Sequence, residues 1–305
     1  MRAAVIGLGG IAEKAYLPLL TGWAGLDLVL HCRTRETVEG YQLQYRVPHG
    51  TDDFEELLAL EPQVAFVLTP SDTHHTIARR LLDAGVHVYM EKPATMHSGH
   101  TRALAELADE RDRVLMVGFN RRYAPLHRRA RELWQGRPVG FCLLEKHRTS
   151  AYHPDLYSNL IDDTIHIIDL LRFLCGEARV LSTESEISGG KLVRAVVTLE
   201  LNGGGRAIIA TELNAGGWQE TYALHGAGAS LHVDAFSQLR LIDGRAEHVE
   251  RETYSSAWTS GLKGRGFEDE IEHFLECVAS GSQPQTSAWE ALKTQQLLEA
   301  MVSSG

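Results

Sequence analysis

Through the first 120 residues, short apolar runs alternate with stretches whose apolar residues recur at helical spacing. The runs are Ala3 to Ile6, Leu26 to Cys32, Val64 to Leu68, Val86 to Met90 and Val114 to Val117. Runs this short and this continuously apolar suit strands buried on both faces. Between them lie amphipathic segments such as Ile77-Ala78-Arg79-Arg80-Leu81-Leu82, the pattern of crossover helices joining parallel strands. Five buried strands in a doubly wound parallel α/β sheet are therefore predicted for this half.

Beyond Arg137-Pro138 one strand-like segment follows another, with glycine turns at Gly189-Gly190, Gly203-Gly204-Gly205 and Gly226 to Gly228. That texture predicts an antiparallel sheet. In Val193 to Leu201 the odd positions are mostly apolar and the even ones mixed. One face should lie on helices, and the other stays apolar enough for a subunit contact. Two closing helices are expected, Phe267 to Ala279 and Ala288 to Met301, the first favoured by Glu268, Asp269 and Glu270 near its N-terminus. The expected division is a dinucleotide-binding Rossmann domain over 1–122 and a substrate-binding and oligomerisation α/β domain over 123–305, whose last helix could pack back on the first domain.

Composition narrows the function. With 305 residues, 44% hydrophobic and 23% charged, the chain is a folded globular protein with room for two cores. Thirty Lys and Arg against 40 Asp and Glu leave a formal charge of −10, which argues against a nucleic-acid partner. No apolar run approaches the ~18 residues of a membrane span. The segment from Met1 to Gly7 enters a strand without signal-peptide anatomy, so a cytoplasmic location is expected. Cys32, Cys142, Cys175 and Cys277 lie far apart with no CxxC pair, which suggests neither a zinc ribbon nor a disulfide framework.

Gly7-Leu8-Gly9-Gly10-Ile11-Ala12 follows the first strand and opens a helix, matching GxGxxA. The first glycine permits the tight turn, the second lets the backbone approach a pyrophosphate, and Ala12 permits close helix packing beneath an anion-attracting helix N-terminus. A glycine turn without a ligand is the bland alternative. At the end of the second strand, where a carboxylate would bond the ribose hydroxyls of NAD, stand Arg33, Thr34 and Arg35. Guanidinium groups can bind a 2′-phosphate, so NADP is expected, with NAD possible. A solvated basic turn is the competing explanation of the same residues.

With Glu91-Lys92-Pro93 after the fourth predicted strand, the chain resembles the Gfo/Idh/MocA oxidoreductases. Thr69-Pro70-Ser71-Asp72-Thr73-His74 is similar to that family's TPxxxH turn, Ala84 to Val88 to its AGxHV strand entry, and Asp162 to Asp169 to its DxGxHxxD helix. Gly118 to Pro125 and Lys146-His147-Arg148 resemble the MviM-like virulence-factor subgroup in particular. The resemblance implies a large open sheet in the second domain, a homodimer or homotetramer formed through that sheet, and hydride transfer between the nicotinamide and a sugar, cyclitol or related polyol. It also implies that Thr69, Pro70, His74, Glu91 and Lys92 border the cofactor. Thr164, preceded by Asp163, stands where the family has glycine.

Oxidising a secondary alcohol takes a hydride acceptor, a base for the hydroxyl proton and a positive donor beside the developing alkoxide. Spacing and resemblance together assign Lys92 as the donor, His166 as the base and Asp162, four residues before it, as the group orienting histidine or substrate. Asp163 is a possible substitute for Asp162. The apolar residues wrapping Leu160 to Leu174 suggest that these acids and the histidine lie within protein, with three acidic groups, Asp162, Asp163 and Asp169, around one imidazole. Arg148, Tyr157, Asn159 and Asp163 are candidate substrate contacts, as are Tyr152 and Trp218, although loop ordering or packing explains each of these equally well. No metal site is expected. Two other functions stay open: a nonenzymatic nicotinamide-binding sensor, and a redox-neutral lyase or glycosidase that retains its NAD(P).

Overall fold

The computed structural model describes residues 1–252 and 260–304. They form two compact units, one comprising Met1–Phe119 with Phe267–Leu292, the other Asn120–Gly266 with Lys293–Gly305. The first boundary thus lies at 119/120 rather than 122/123, and a carboxy-terminal segment counts with the first unit.

The first unit is built on six parallel strands: β1 (Arg2–Ile6), β2 (Asp27–His31), β3 (His49–Thr51), β4 (Val64–Val67), β5 (His87–Glu91) and β6 (Leu115–Gly118), in the order β3-β2-β1-β4-β5-β6. Five coincide with the predicted apolar runs. The sixth, β3, was not foreseen because His49-Gly50-Thr51 is too short and too polar to show a pattern; it is an edge strand. Its Gly50 leaves space for the helix Arg35–Tyr45, since a Cβ there would stand 2.5 Å from Val38 Cγ1. Helices cover the sheet with residues three and four apart, as where His74–Asp83 buries His74, Ala78, Leu81 and Leu82. From the closing segment, Phe267–Ser280 sets Phe274 edge-on against Phe66 and Tyr89, each with ring centroids 5.6 Å away.

The second unit carries an eight-stranded sheet: β7 (Phe141–His147), β8 (Ala178–Ser188), β9 (Lys191–Leu201), β10 (Arg206–Glu212), β11 (Gln219–Gly226), β12 (Ala229–Asp234), β13 (Gln238–Asp243) and β14 (Ala246–Arg251). The order is β14-β13-β12-β11-β7-β10-β9-β8, and β7 with β10 is the parallel pair in an otherwise antiparallel ladder. The predicted glycine turns join β8 to β9, β9 to β10 and β11 to β12. Along β9, Ala195, Val197, Leu199 and Leu201 are buried while Val196 on the opposite face is exposed. In β7 the even residues Cys142, Leu144 and Lys146 turn inward, and in β11 so do Glu220, Tyr222 and Leu224. Two charged residues therefore occupy positions that the strand period assigns to the core.

Candidate active site

In the first unit the chain turns at Gly7, whose φ is +97°. A Cβ there would stand 2.8 Å from the carbonyl carbon of Leu68, so the turn requires glycine. Beyond their chain neighbours and their own helix, Gly9 and Gly10 have no atom of a described residue within 4 Å of where a Cβ would be, which leaves their backbone open to a ligand. The Gly9 carbonyl accepts the Glu13 N–H at 3.0 Å, starting the helical segment that buries Ala12. Gly7, Gly9, Arg33, Thr34, Thr69 and Pro70 line a cavity of about 310 Å³. It opens at the carboxyl ends of β1, β2 and β4, where the strand order reverses and such sheets bind nucleotides. The open glycine backbone, the helix start and the basic wall fit a dinucleotide.

The other predicted cofactor residues fall around this cavity in different ways. Gly10 and Ile11 are exposed at the helix start, and Ala12 is packed beneath it. Arg35 lies outside the lining: it opens the helix after β2, and its Nε is 2.9 Å from Asp52 Oδ1. Of the two arginines, Arg33 is the one on the cavity wall. His74 is buried, with its ring nitrogens each 2.9 Å from a carbonyl oxygen, those of Thr69 and Pro93, so it braces the loop after β4 against the loop after β5. Burial lowers its pKa. Glu91 accepts from the Tyr16 hydroxyl at 2.6 Å and from the Lys92 N–H at 2.9 Å, which pins the backbone on either side of β5's end. Burial, then the Glu91 charge, pushes the Tyr16 hydroxyl well up, so it stays a donor. Lys92 follows, half-buried and joined to Pro93 by a cis peptide bond.

In the second unit the predicted catalytic helix is interrupted. Leu160–Thr164 forms a π-helical turn before the α-helix Ile165–Cys175. The wider turn resets which residues face inward. Asp163, Thr164, His166 and Asp169 are buried, whereas the Asp162 side chain is 55% exposed, contrary to its expected burial. Asp162 Oδ2 lies 3.3 Å from His153 Nε2 and 3.4 Å from the Tyr152 hydroxyl. The three acids also have separate partners. Asp169 accepts from Arg122 Nε at 2.7 Å, Arg122 Nη2 at 2.6 Å and the Thr294 hydroxyl at 2.9 Å. Asp163 is held by Arg148 and Lys146 instead.

That last contact belongs to a buried chain of charges. Arg148 forks onto Asp163, with Nε donating to Oδ2 at 2.9 Å and Nη2 to Oδ1. Lys146 Nζ is 3.0 Å from Asp163 Oδ1, donates to the Asp163 carbonyl at 2.8 Å and lies 3.5 Å from Glu220 Oε2. Arg121 forks onto Glu220 with both bonds at 3.0 Å. Burial alone would raise the Asp163 pKa, but Arg148 and Lys146 outweigh it and hold the carboxyl down to about 2. Arg121 and Lys146 likewise hold Glu220 far below the usual carboxylate range. Burial depresses Lys146, with the two carboxylates opposing that effect.

Two of the predicted substrate contacts therefore meet each other, as Arg148 and Asp163. Asn159 is buried and its side-chain oxygen accepts the Thr164 hydroxyl at 2.8 Å, so the threonine in the family's glycine position is spent inside the turn. Tyr157 is half-buried, while Tyr152 and Trp218 are exposed. Lys146, Glu220 and Arg121 were not singled out as site residues. The strand period in β7 and β11 was the available signal for the first two, because a charged residue at a core position needs a buried partner. Among the described residues no cluster could hold a metal ion.

Residues 1–119 match the model of the Gfo/Idh/MocA oxidoreductase family, NAD-binding Rossmann fold, and residues 159–305 match its C-terminal alpha/beta domain. The chain belongs to this family. Proteins similar to it include YceM of Salmonella typhimurium, 30% identical over 314 residues that cover 99% of this chain and 97% of that one. The myo-inositol 2-dehydrogenase of Thermotoga maritima is 26% identical over 318 residues, covering 94% and 91%. The crystal structure of a dehydrogenase (MviM) from Clostridium difficile superposes with a TM-score of 0.91 at 28% identity, covering 100% of this chain and 99% of that one. The protein is thus a Gfo/Idh/MocA oxidoreductase with an NAD(P)-binding Rossmann domain. No helix among its described residues is long and apolar enough to cross a membrane.

Proposed function

We propose that this oxidoreductase transfers hydride between NADP(H) and a CH–OH group of a sugar, cyclitol or related polyol. One observation carries the cofactor preference: the cavity wall at the end of β2 presents Arg33 and Thr34, and no carboxylate among the described residues lines the cavity. A 2′-phosphate finds a guanidinium and a hydroxyl there, whereas the ribose diol of NAD lacks the acceptor it ordinarily meets. Similarity to inositol dehydrogenases supports a polyol substrate.

Bound NADP supplies the hydride acceptor or donor at nicotinamide C4. The remaining work falls to the protein. Lys92 donates a hydrogen bond to the reacting oxygen and stabilises its negative charge. His166 takes the hydroxyl proton, or returns it in the reductive direction. Asp162, exposed and beside His153, orients the substrate or the imidazole. The test is a panel of aldoses, inositols and sugar phosphates with NADP and NAD, followed at the absorbance of the reduced nicotinamide. NADP is expected to give the higher kcat/KM, and Arg33→Ala to narrow the difference. Lys92→Ala and His166→Ala should lose about 10²- to 10⁴-fold in kcat while still binding NADP. Wild-type turnover in those variants, or tight NADP binding with silence across the panel, refutes the assignment.

A further inference from the structure

The charge chain of the second unit does not balance. Three cations, Arg121, Lys146 and Arg148, share two carboxylates, Asp163 and Glu220. His127, which packs by the chain at Arg121, adds nothing, because burial lowers its pKa to about 4 and it is neutral at pH 7. Asp162 is mostly exposed, so water screens its charge. One positive charge is left over in a site where Lys146 and Glu220 are each 1% exposed.

The largest unused hydrogen-bonding capacity is on Arg148. Lys146 directs its ammonium at Asp163 and Glu220. Arg121, 12% exposed, spends Nε and Nη2 on Glu220 and Nη1 on Asn120. Arg148 is 34% exposed, and its Nη1 is hydrogen-bonded to no described residue. Asp163 holds the guanidinium plane through Nε and Nη2. Trp218, 43% exposed, precedes Gln219, and Gln219 pairs with His147. An aromatic face and a fixed guanidinium therefore lie at the same strand ends.

Resting on the proposed sugar or polyol chemistry, we infer that the substrate is an acid, a hexuronate or related polyhydroxy carboxylate, whose carboxylate is bound by Arg148. A single carboxylate neutralises the network one for one, whereas a phosphate, near −2 at pH 7, overshoots. The Arg148–Asp163 pair is in this account a specificity device: Asp163 sets the geometry and Arg148 touches the substrate.

The probes are D-glucuronate against D-glucose and D-galacturonate against D-galactose, added to the NADP-loaded protein, with D-glucose 6-phosphate as the phosphate arm. Binding is measured by calorimetry and turnover by nicotinamide absorbance. Each acid should bind at least about tenfold tighter than its neutral partner, as a charge-assisted hydrogen bond warrants. Arg148→Gln should bring that ratio to within about twofold, and Arg148→Lys should retain an intermediate ratio. Arg148→Gln leaves two cations facing two carboxylates, circular dichroism checks that the variant folds, and Arg148→Lys, which keeps the charge, carries the test if it does not. Equal or absent binding of the acids, an unchanged ratio in Arg148→Gln, or a preference for the phosphate over the carboxylate overturns the inference. Acid-selective binding without nicotinamide reduction would instead refute the dehydrogenase assignment alone, and turnover without acid preference would refute this inference alone.

Discussion

Asp163→Asn isolates the electrostatics of the buried network. In the native protein the carboxyl falls from its ordinary 3.8 to about 2. At about 1.4 kcal/mol per pH unit this corresponds to roughly 2 kcal/mol of stability from the ionised form. Because the folded value is the lower one, that contribution is complete above the ordinary carboxyl value and disappears as pH falls through about 2. Asparagine also leaves Lys146 and Arg148 without the charge they face, and removing one partner of a buried pair costs about 3–5 kcal/mol. The variant should therefore be destabilised by about 2–5 kcal/mol at pH 7 in urea unfolding. The gap between wild type and variant should hold from pH 7 to 5 and narrow by about 1 kcal/mol at pH 3. A gap below about 1 kcal/mol at pH 7, or one that does not narrow at pH 3, would show that Asp163 is not held by the cations.

Gly7→Ala forces a Cβ to within 2.8 Å of the Leu68 backbone at a φ of +97°, so the turn must shift. NADP affinity, followed by fluorescence titration, should fall more than about tenfold, and an unchanged Kd would contradict the placement of the cofactor. Tyr16→Phe removes the hydroxyl that bonds both Tyr89 at 2.8 Å and Glu91 at 2.6 Å. With a buried Glu91 oxygen left unsatisfied, unfolding should become easier by about 1–3 kcal/mol, and a loss under about 0.5 kcal/mol would mean that Glu91 finds another donor. On the eight-stranded sheet Leu181, Ile187 and Val196 are exposed. A second copy covering that sheet predicts a dimer or tetramer by light scattering at micromolar concentration, and a monomer would refute it.

The parallel half of the fold was legible because its strands are buried on both faces and are therefore continuously apolar. β3 was not, because three residues of an edge strand owe their conformation to β2 and to the helix packed on Gly50 rather than to any pattern of their own. The nucleotide turn was equally legible: a positive φ, a close backbone approach and a helix start demand particular residues within six positions. Pairing was a different matter. Arg33 and Arg35 look equivalent in the chain, yet Asp52, seventeen residues on, engages one of them. The acids near His166 look like its partners at helical spacing, yet the π-turn and β7 give Asp163 to Lys146 and Arg148, and Asp169 goes to Arg122. Local rules, the strand and helix periods and the sterics of glycine, are written into consecutive residues. Which cation meets which carboxylate depends on strand register and helix phase between distant segments, and only the folded chain decides that.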